Sequence, residues 1–94
     1  MSEIVVVASA KAQAGREDDV AQALRTNADA SRREAGCISY GVLRGDNRAF
    51  MTIERWRSRA DFESHMGTPH VQTLLHTITP MLASPPDIQV LEEL

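Results

Sequence analysis

The side chains of this chain that could do chemistry crowd into one stretch. It runs Glu54-Arg55-Trp56-Arg57-Ser58-Arg59-Ala60-Asp61-Phe62-Glu63-Ser64-His65-Met66-Gly67-Thr68-Pro69-His70 and holds the only Trp and two of the three His. An imidazole with an unperturbed pKa near ~6.5 exchanges protons at neutral pH. A carboxylate such as Glu54 can orient that ring or take a proton itself. An indole N–H can donate to an oxygen, and its ring can wall a pocket. Glu54 and Trp56 share one parity with Phe50 and so point the same way from a strand. His65 is three residues past Phe62 on one side of a short helix. Phe62 should face the core, which places His65 at the core's edge. His70 falls in the first turn after Pro69. A short helix folded back over the sheet would bring these groups to one pocket between helix and sheet.

The elements that must position them can be read from periodicity. Residues 3–10 are apolar on both parities, as in a central strand covered on both sides. Lys11 to Gly15 is a loop. A helix starts near Arg16, with Glu17, Asp18 and Asp19 in its first turn and Arg32 and Arg33 in its last, matching the dipole. Val20, Leu24, Ala28 and Ala35 give a narrow buried stripe, and Gly36 is placed as the C-terminal cap. Cys37 to Arg44 alternates, with Ile38, Tyr40 and Val42 on one side. Gly45-Asp46-Asn47 is a turn, and Arg48 to Arg57 is the return strand of a hairpin. On that strand Phe50, Thr52, Glu54 and Trp56 oppose Met51, Ile53, Arg55 and Arg57.

Ser58 and Asp61 form a capping pair for a helix from Arg59 to Met66 that Gly67 ends. Thr68 caps, and Pro69 opens, a second helix whose Val71, Leu74, Leu75 and Ile78 face the core. Pro80 stops it, Pro85-Pro86 breaks the chain, and Asp87 to Leu94 closes it as a strand. The order β-α-β-β-α-β predicts an α+β, ferredoxin-like split βαβ fold, an antiparallel sheet with helices on one face, in a single domain spanning 1–94. The uncovered face would carry Met51 and Ile53. Apolar surface left in water costs about 25 cal/mol per Å2, so a two-fold homodimer, sheet against sheet, is expected.

Composition narrows the function. Charged residues are 24% of the chain, which disfavours disorder. The longest uncharged apolar run, Ile4 to Ala10, is far short of the ~20 residues of a membrane-crossing helix. No Lys or Arg precedes Lys11, so no secretory signal is expected. Cys37 is the only cysteine and can form no intrachain disulfide; a cytoplasmic protein is the expectation. Cys37 itself reads as a small buried residue. The net charge of −3 and 4% aromatic content argue against nucleic acid. Arg44, Arg48, Arg55, Arg57 and Arg59 crowd the hairpin. They read as a solvated face, or as ion-pair partners of Glu92 and Glu93, before an anionic-ligand site. His65 and His70, separated by four residues across a Gly-Thr-Pro break, do not have a ligand spacing even with Glu54 nearby, and no metal site is expected.

The run Glu-x-Trp-x-Ser-x-x-x-Phe-x-x-His-x-x-x-Pro-His, followed by Leu74-Leu75 and then Pro-Pro-x-Ile, resembles the antibiotic biosynthesis monooxygenase family, closest to its small quinol-monooxygenase-like members. The resemblance covers nearly the whole chain. It implies a dimeric α+β barrel and an O2-dependent oxidation of a quinol or phenolic substrate without metal, flavin or haem. His65 would be base or proton relay, with His70 the second choice. Trp56 would be the pocket wall and donor to a peroxide or quinone oxygen. Glu54 would orient a His or polarise the substrate hydroxyl. Phe50, Tyr40, Phe62 and Met66 would line the pocket. The haem-degrading relatives use an Asn on the first strand and a Trp in the short helix; neither is present here, so haem is not expected. Two other readings use the same pocket: an isomerase or enolising enzyme with His65 and Glu54 as acid and base, and a dimeric module that binds a small aromatic ligand.

Overall fold

The computed structural model describes residues 2–94. Its elements are β1 (Ile4–Lys11), α1 (Glu17–Ser31), β2 (Cys37–Arg44), β3 (Ala49–Trp56), α2 (Arg59–Met66), α3 (Pro69–Ile78) and β4 (Asp87–Leu91), with a 3-10 turn, Thr79–Met81, after α3. The strands form one antiparallel sheet in the order β2-β3-β1-β4. This is the ferredoxin-like α+β arrangement. β1 is a central strand, which explains why its sequence is apolar on both parities. No helix among the described residues is long and apolar enough to cross a membrane.

Strand β3 carries the site. Phe50, Thr52, Glu54 and Trp56 are buried on the helix-covered side, while Met51 and Ile53 are exposed on the other. On β2 the parity is broken. The register slips between Cys37 and Ser39, so Cys37 pairs with Trp56 and Ser39 with Arg55. Ile38 is the extra residue of that bulge and stands in solvent at 45% exposure, instead of facing the core with Tyr40. The slip is what lets Tyr40 pair with Glu54 and face the same side.

Helix α1 stops at Ser31, earlier than its charge pattern suggests. Arg32 is the cap residue and spends its guanidinium on Asp29 and on the Tyr40 carbonyl, not on the helix end. Ala35 lies beyond the helix and is exposed. Gly36 is therefore not the helix cap. A Cβ on it would sit 2.4 Å from Cβ of Asp61, so a glycine is required there by the close approach of α2. Helix α2 is fixed by its own cap, with Ser58 Oγ accepting from the Asp61 N–H at 3.1 Å. Thr68 does the same for α3 through the Val71 N–H, and Pro69 occupies the first turn. Pro80 falls in the 3-10 turn that follows. β4 ends at Leu91, three residues before the sequence pattern suggests, because its pairing with β1 ends at Val5–Leu91.

The apolar core is in two parts. One holds Val20, Leu24, Phe50, Ile78, Met81 and Leu82. The other holds Ile4, Val6, Ala28, Tyr40, Trp56 and Phe62. Along β3 the step from Phe50 to Trp56 crosses Thr52 and Glu54, and along α1 the step from Leu24 to Ala28 crosses Asn27. A buried polar belt thus cuts across the core.

Candidate active site

The belt is a connected network. Glu54, only 4% exposed, receives Thr52 Oγ1 on Oε2 at 2.8 Å and the Trp56 indole N–H on Oε1 at 3.0 Å. Burying an ionised carboxylate costs several kcal/mol, and each hydrogen bond to a charged group returns about 1.5–3 kcal/mol. The two donors, with the Tyr40 hydroxyl beside them, can hold the charge inside the core. Tyr40 is raised well above its ordinary value of 10.0, first by burial and then by the Glu54 carboxylate. It stays a hydroxyl throughout the neutral range. Asn27 Nδ2 donates to that hydroxyl at 3.1 Å.

His65 lies on the other side of Glu54. Its ring is stacked at a tilt on Trp56, with centroids 4.4 Å apart, and its side chain is 3% exposed. Nδ1 lies 2.7 Å from Glu34 Oε2, so in the neutral ring Nδ1 carries the proton and Nε2 the lone pair. Nε2 is 3.8 Å from Glu54 Oε1. That gap is too long for a hydrogen bond and can be spanned by one hydroxyl oxygen. The same Glu34 oxygen lies 2.8 Å from His70 Nε2. A single carboxylate oxygen therefore joins an inner and an outer imidazole.

A cavity opens beside this network between the sheet and helices α1 and α3. Glu54, His65, Tyr40, Asn27 and Thr52 form its polar end; Leu24, Phe50, Met66, Leu74, Leu75 and Ile78 are among its apolar walls. Of the eight sequence candidates, Glu54, His65, Tyr40, Phe50 and Met66 line it. Trp56 does not: its ring is fully buried behind Glu54 and its N–H is already taken. Phe62 packs with Trp56 in the core. His70 faces a separate outer groove between α1 and α3, with Ala23, Thr26, Ala30 and Thr73. The indole, imidazole and carboxylate are in contact, but only the last two border the hollow.

Glu34, Asn27 and Thr52 complete the network and were not singled out as site residues from sequence. Glu34 sits in the turn after α1, where no periodicity applies. Asn27 carries a usable signal: Leu24, Asn27, Ala28 and Ser31 are spaced i, i+3, i+4, i+7, the stripe of the buried face, and all four are buried. Glu34 Oε2, His65 Nδ1 and His70 Nε2 lie within 4.8 Å of one another, a donor set of the kind that zinc or non-haem iron takes. The expectation of no metal weighed Glu54 with the two His, whereas the carboxylate that meets both rings is Glu34. In this arrangement the carboxylate oxygen is already satisfied by two imidazole donors at hydrogen-bond distance. Arg55 pairs with Glu3 and Glu93 on the far side of the sheet and takes no part in the site. Cys37 is half-buried, and burial, then Glu34 and Glu54, push its thiol up, away from nucleophilic chemistry.

The sequence profile of the antibiotic biosynthesis monooxygenase family matches residues 3–76, most of the chain. The chain belongs to this family. A family relative, the Mycobacterium tuberculosis protein named "Putative monooxygenase Rv0793", is 33% identical over 81 residues, 81% of this chain and 80% of its own. The structure of that protein superimposes with a TM-score of 0.94 at 26% identity, covering 99% of this chain and 96% of the other. PA3566 from Pseudomonas aeruginosa gives 0.92 at 28% identity, covering 100% and 96%.

Tyr40 is the only tyrosine of the chain, so tyrosinate absorbance reports on it alone. Its raised folded-state value means that the folded form binds the proton more tightly than the unfolded form. The stability this contributes is fully present below pH 10 and is lost as pH rises above it. In a pH titration followed by ultraviolet absorbance and circular dichroism, the tyrosinate band should appear together with unfolding. Tyr40→Phe should reduce the alkaline loss of stability.

Proposed function

We propose that this protein is a monooxygenase that oxidises a quinol or phenolic ring with O2, using no metal, flavin or haem. The observation that carries the reading is the cavity whose polar end is built from an oriented imidazole and a buried carboxylate, Nε2 of His65 and Oε1 of Glu54. Freedom from cofactors comes from the likeness to the quinol-monooxygenase-like members of the family. The ring lies among Leu24, Phe50, Leu74 and Ile78, shielded from water. Its hydroxyl enters the gap between His65 and Glu54 and gives its proton to Nε2, while Glu34 stabilises the imidazolium. The electron-rich phenolate passes one electron to O2. The radical pair combines to a ring peroxide. Loss of water from the protonated peroxide leaves a quinone, with one oxygen atom in the product and one in the water. The imidazolium of His65 gives the proton it took to the peroxide, and His70, hydrogen-bonded to the same Glu34 oxygen and facing the outer groove, links the pair to solvent. Trp56 acts through Glu54, which it holds in place.

A second copy of the chain completes the molecule on this reading. The sheet face away from the helices exposes Leu43 at 49%, Met51 at 37%, Ile53 at 43% and Leu91 at 44%. These apolar side chains on neighbouring strands form a patch suited to a two-fold partner. In sedimentation equilibrium the native chain should be a dimer and Ile53→Asp a monomer. A monomeric native chain would leave the sheet bare and contradict the packing argument.

Oxygen uptake with small quinols tests the chemistry. The native chain should consume O2 and place one atom of 18O2 in the product. His65→Ala should lower the rate by on the order of 100-fold or more. Equal rates would remove His65 from the mechanism. Product formed without O2 would assign the site to an enolising isomerase, and binding without turnover would assign it to a ligand-binding module.

A further inference from the structure

Asn27 holds an unfinished hydrogen-bond account. It is 3% exposed on the buried face of α1, and its Oδ1 is a buried acceptor with no partner among the described residues. A buried polar atom left unpaired costs about 1–3 kcal/mol. The orientation of the amide follows from its neighbours. Tyr40 keeps its single proton, and its hydroxyl lies beside the Glu54 carboxylate, an acceptor. Asn27 presents Nδ2 to that hydroxyl at 3.1 Å, so the hydroxyl accepts there and its one proton is free to turn toward the carboxylate. The carbonyl oxygen is then the half of the amide with nothing to do. Asn27 lines the cavity with Tyr40, Thr52, Glu54 and His65 and also borders the outer groove.

We propose that Asn27 Oδ1 is a substrate-positioning acceptor that selects a ring carrying a second hydrogen-bond donor, a hydroxyl or amine, in addition to the hydroxyl taken by His65 and Glu54. The inference rests on the cavity being the ligand site proposed above, and it keeps, of the quinol or phenolic rings proposed there, those with a second donor: dihydroxylated or amino-hydroxylated rings. Acceptors surround this end of the cavity: the Glu54 carboxylate, the Nε2 lone pair and Asn27 Oδ1. An anionic group or an ether oxygen placed there would meet acceptors only. The same oxygen that holds an O–H opposes the carbonyl which that group becomes on oxidation to a quinone, so Asn27 favours reduced ligand over oxidised product.

The test is anaerobic binding of phenol and of the three benzenediols to the full chain, measured by calorimetry or by amide NMR shifts. The best-fitting diol should bind about tenfold more tightly than phenol, the equivalent of about 1.4 kcal/mol. In Asn27→Leu that preference should fall to within about twofold, whatever the change in phenol affinity itself. A purely structural role would weaken both ligands alike and would overturn the proposal, as would equal affinities in the native chain. Should Asn27→Leu fail to fold, a crystal structure of the native chain with the diol decides: a ligand oxygen within hydrogen-bond reach of Oδ1 supports the assignment, and one that points elsewhere overturns it. Because no oxygen is present, a diol preference that survives alongside absent O2 uptake would retire the oxidation chemistry and keep the subsite.

Discussion

One carboxylate oxygen organises the site. Glu34 Oε2 fixes the imidazole of His65 at 2.7 Å and that of His70 at 2.8 Å. These two rings come from different helices, and Glu34 comes from the turn that leads into β2. The contact therefore ties α2, α3 and the α1–β2 connection to one point. It also sets the chemistry. With its proton held toward Glu34, the inner imidazole offers its lone pair to the gap beside Glu54. Without that anchor the ring could take either tautomer, and the lone pair would not be held toward the gap.

The network has a stability cost. Thr52, Glu54, Asn27 and His65 occupy positions on the buried faces of β3, α1 and α2 where apolar residues would join the two halves of the core into one. A chain of this length has little core to spare, and polar groups placed there must be satisfied in full. Glu54 meets this condition through Thr52 and Trp56. Asn27 does not, since only its Nδ2 is matched. An otherwise consistent core that breaks its own rule beside a cavity points to function at that place.

Much of the fold was legible in the sequence because its signals are local. The alternation of β3 placed Phe50, Thr52, Glu54 and Trp56 on the buried side, and the structure agrees residue by residue. The Ser58 and Thr68 caps and Pro69 mark the observed starts of both short helices. Local rules failed where a distant neighbour decides. Gly36 looks like a helix cap but is glycine because Asp61 of α2 lies against it. Ile38 has the right parity for the core until a bulge turns it out. In the site, Glu54 and His65 could be paired from the strand parity and the helix spacing. Glu34 could not, because it reaches them from a turn thirty-one residues before His65. The resemblance implies Trp56 as the cavity wall, whereas its N–H is committed to Glu54 and its ring to the core behind.

Nitrogen-15 NMR of the histidine rings, at a pH where they are neutral, reads whether Glu34 sets the tautomer of His65. His65 should be protonated at Nδ1 and bare at Nε2, and Glu34→Leu should abolish this preference. A ring that carries its proton on Nε2 in the native chain, or keeps the Nδ1–H form after Glu34 is replaced, would contradict that role of Glu34.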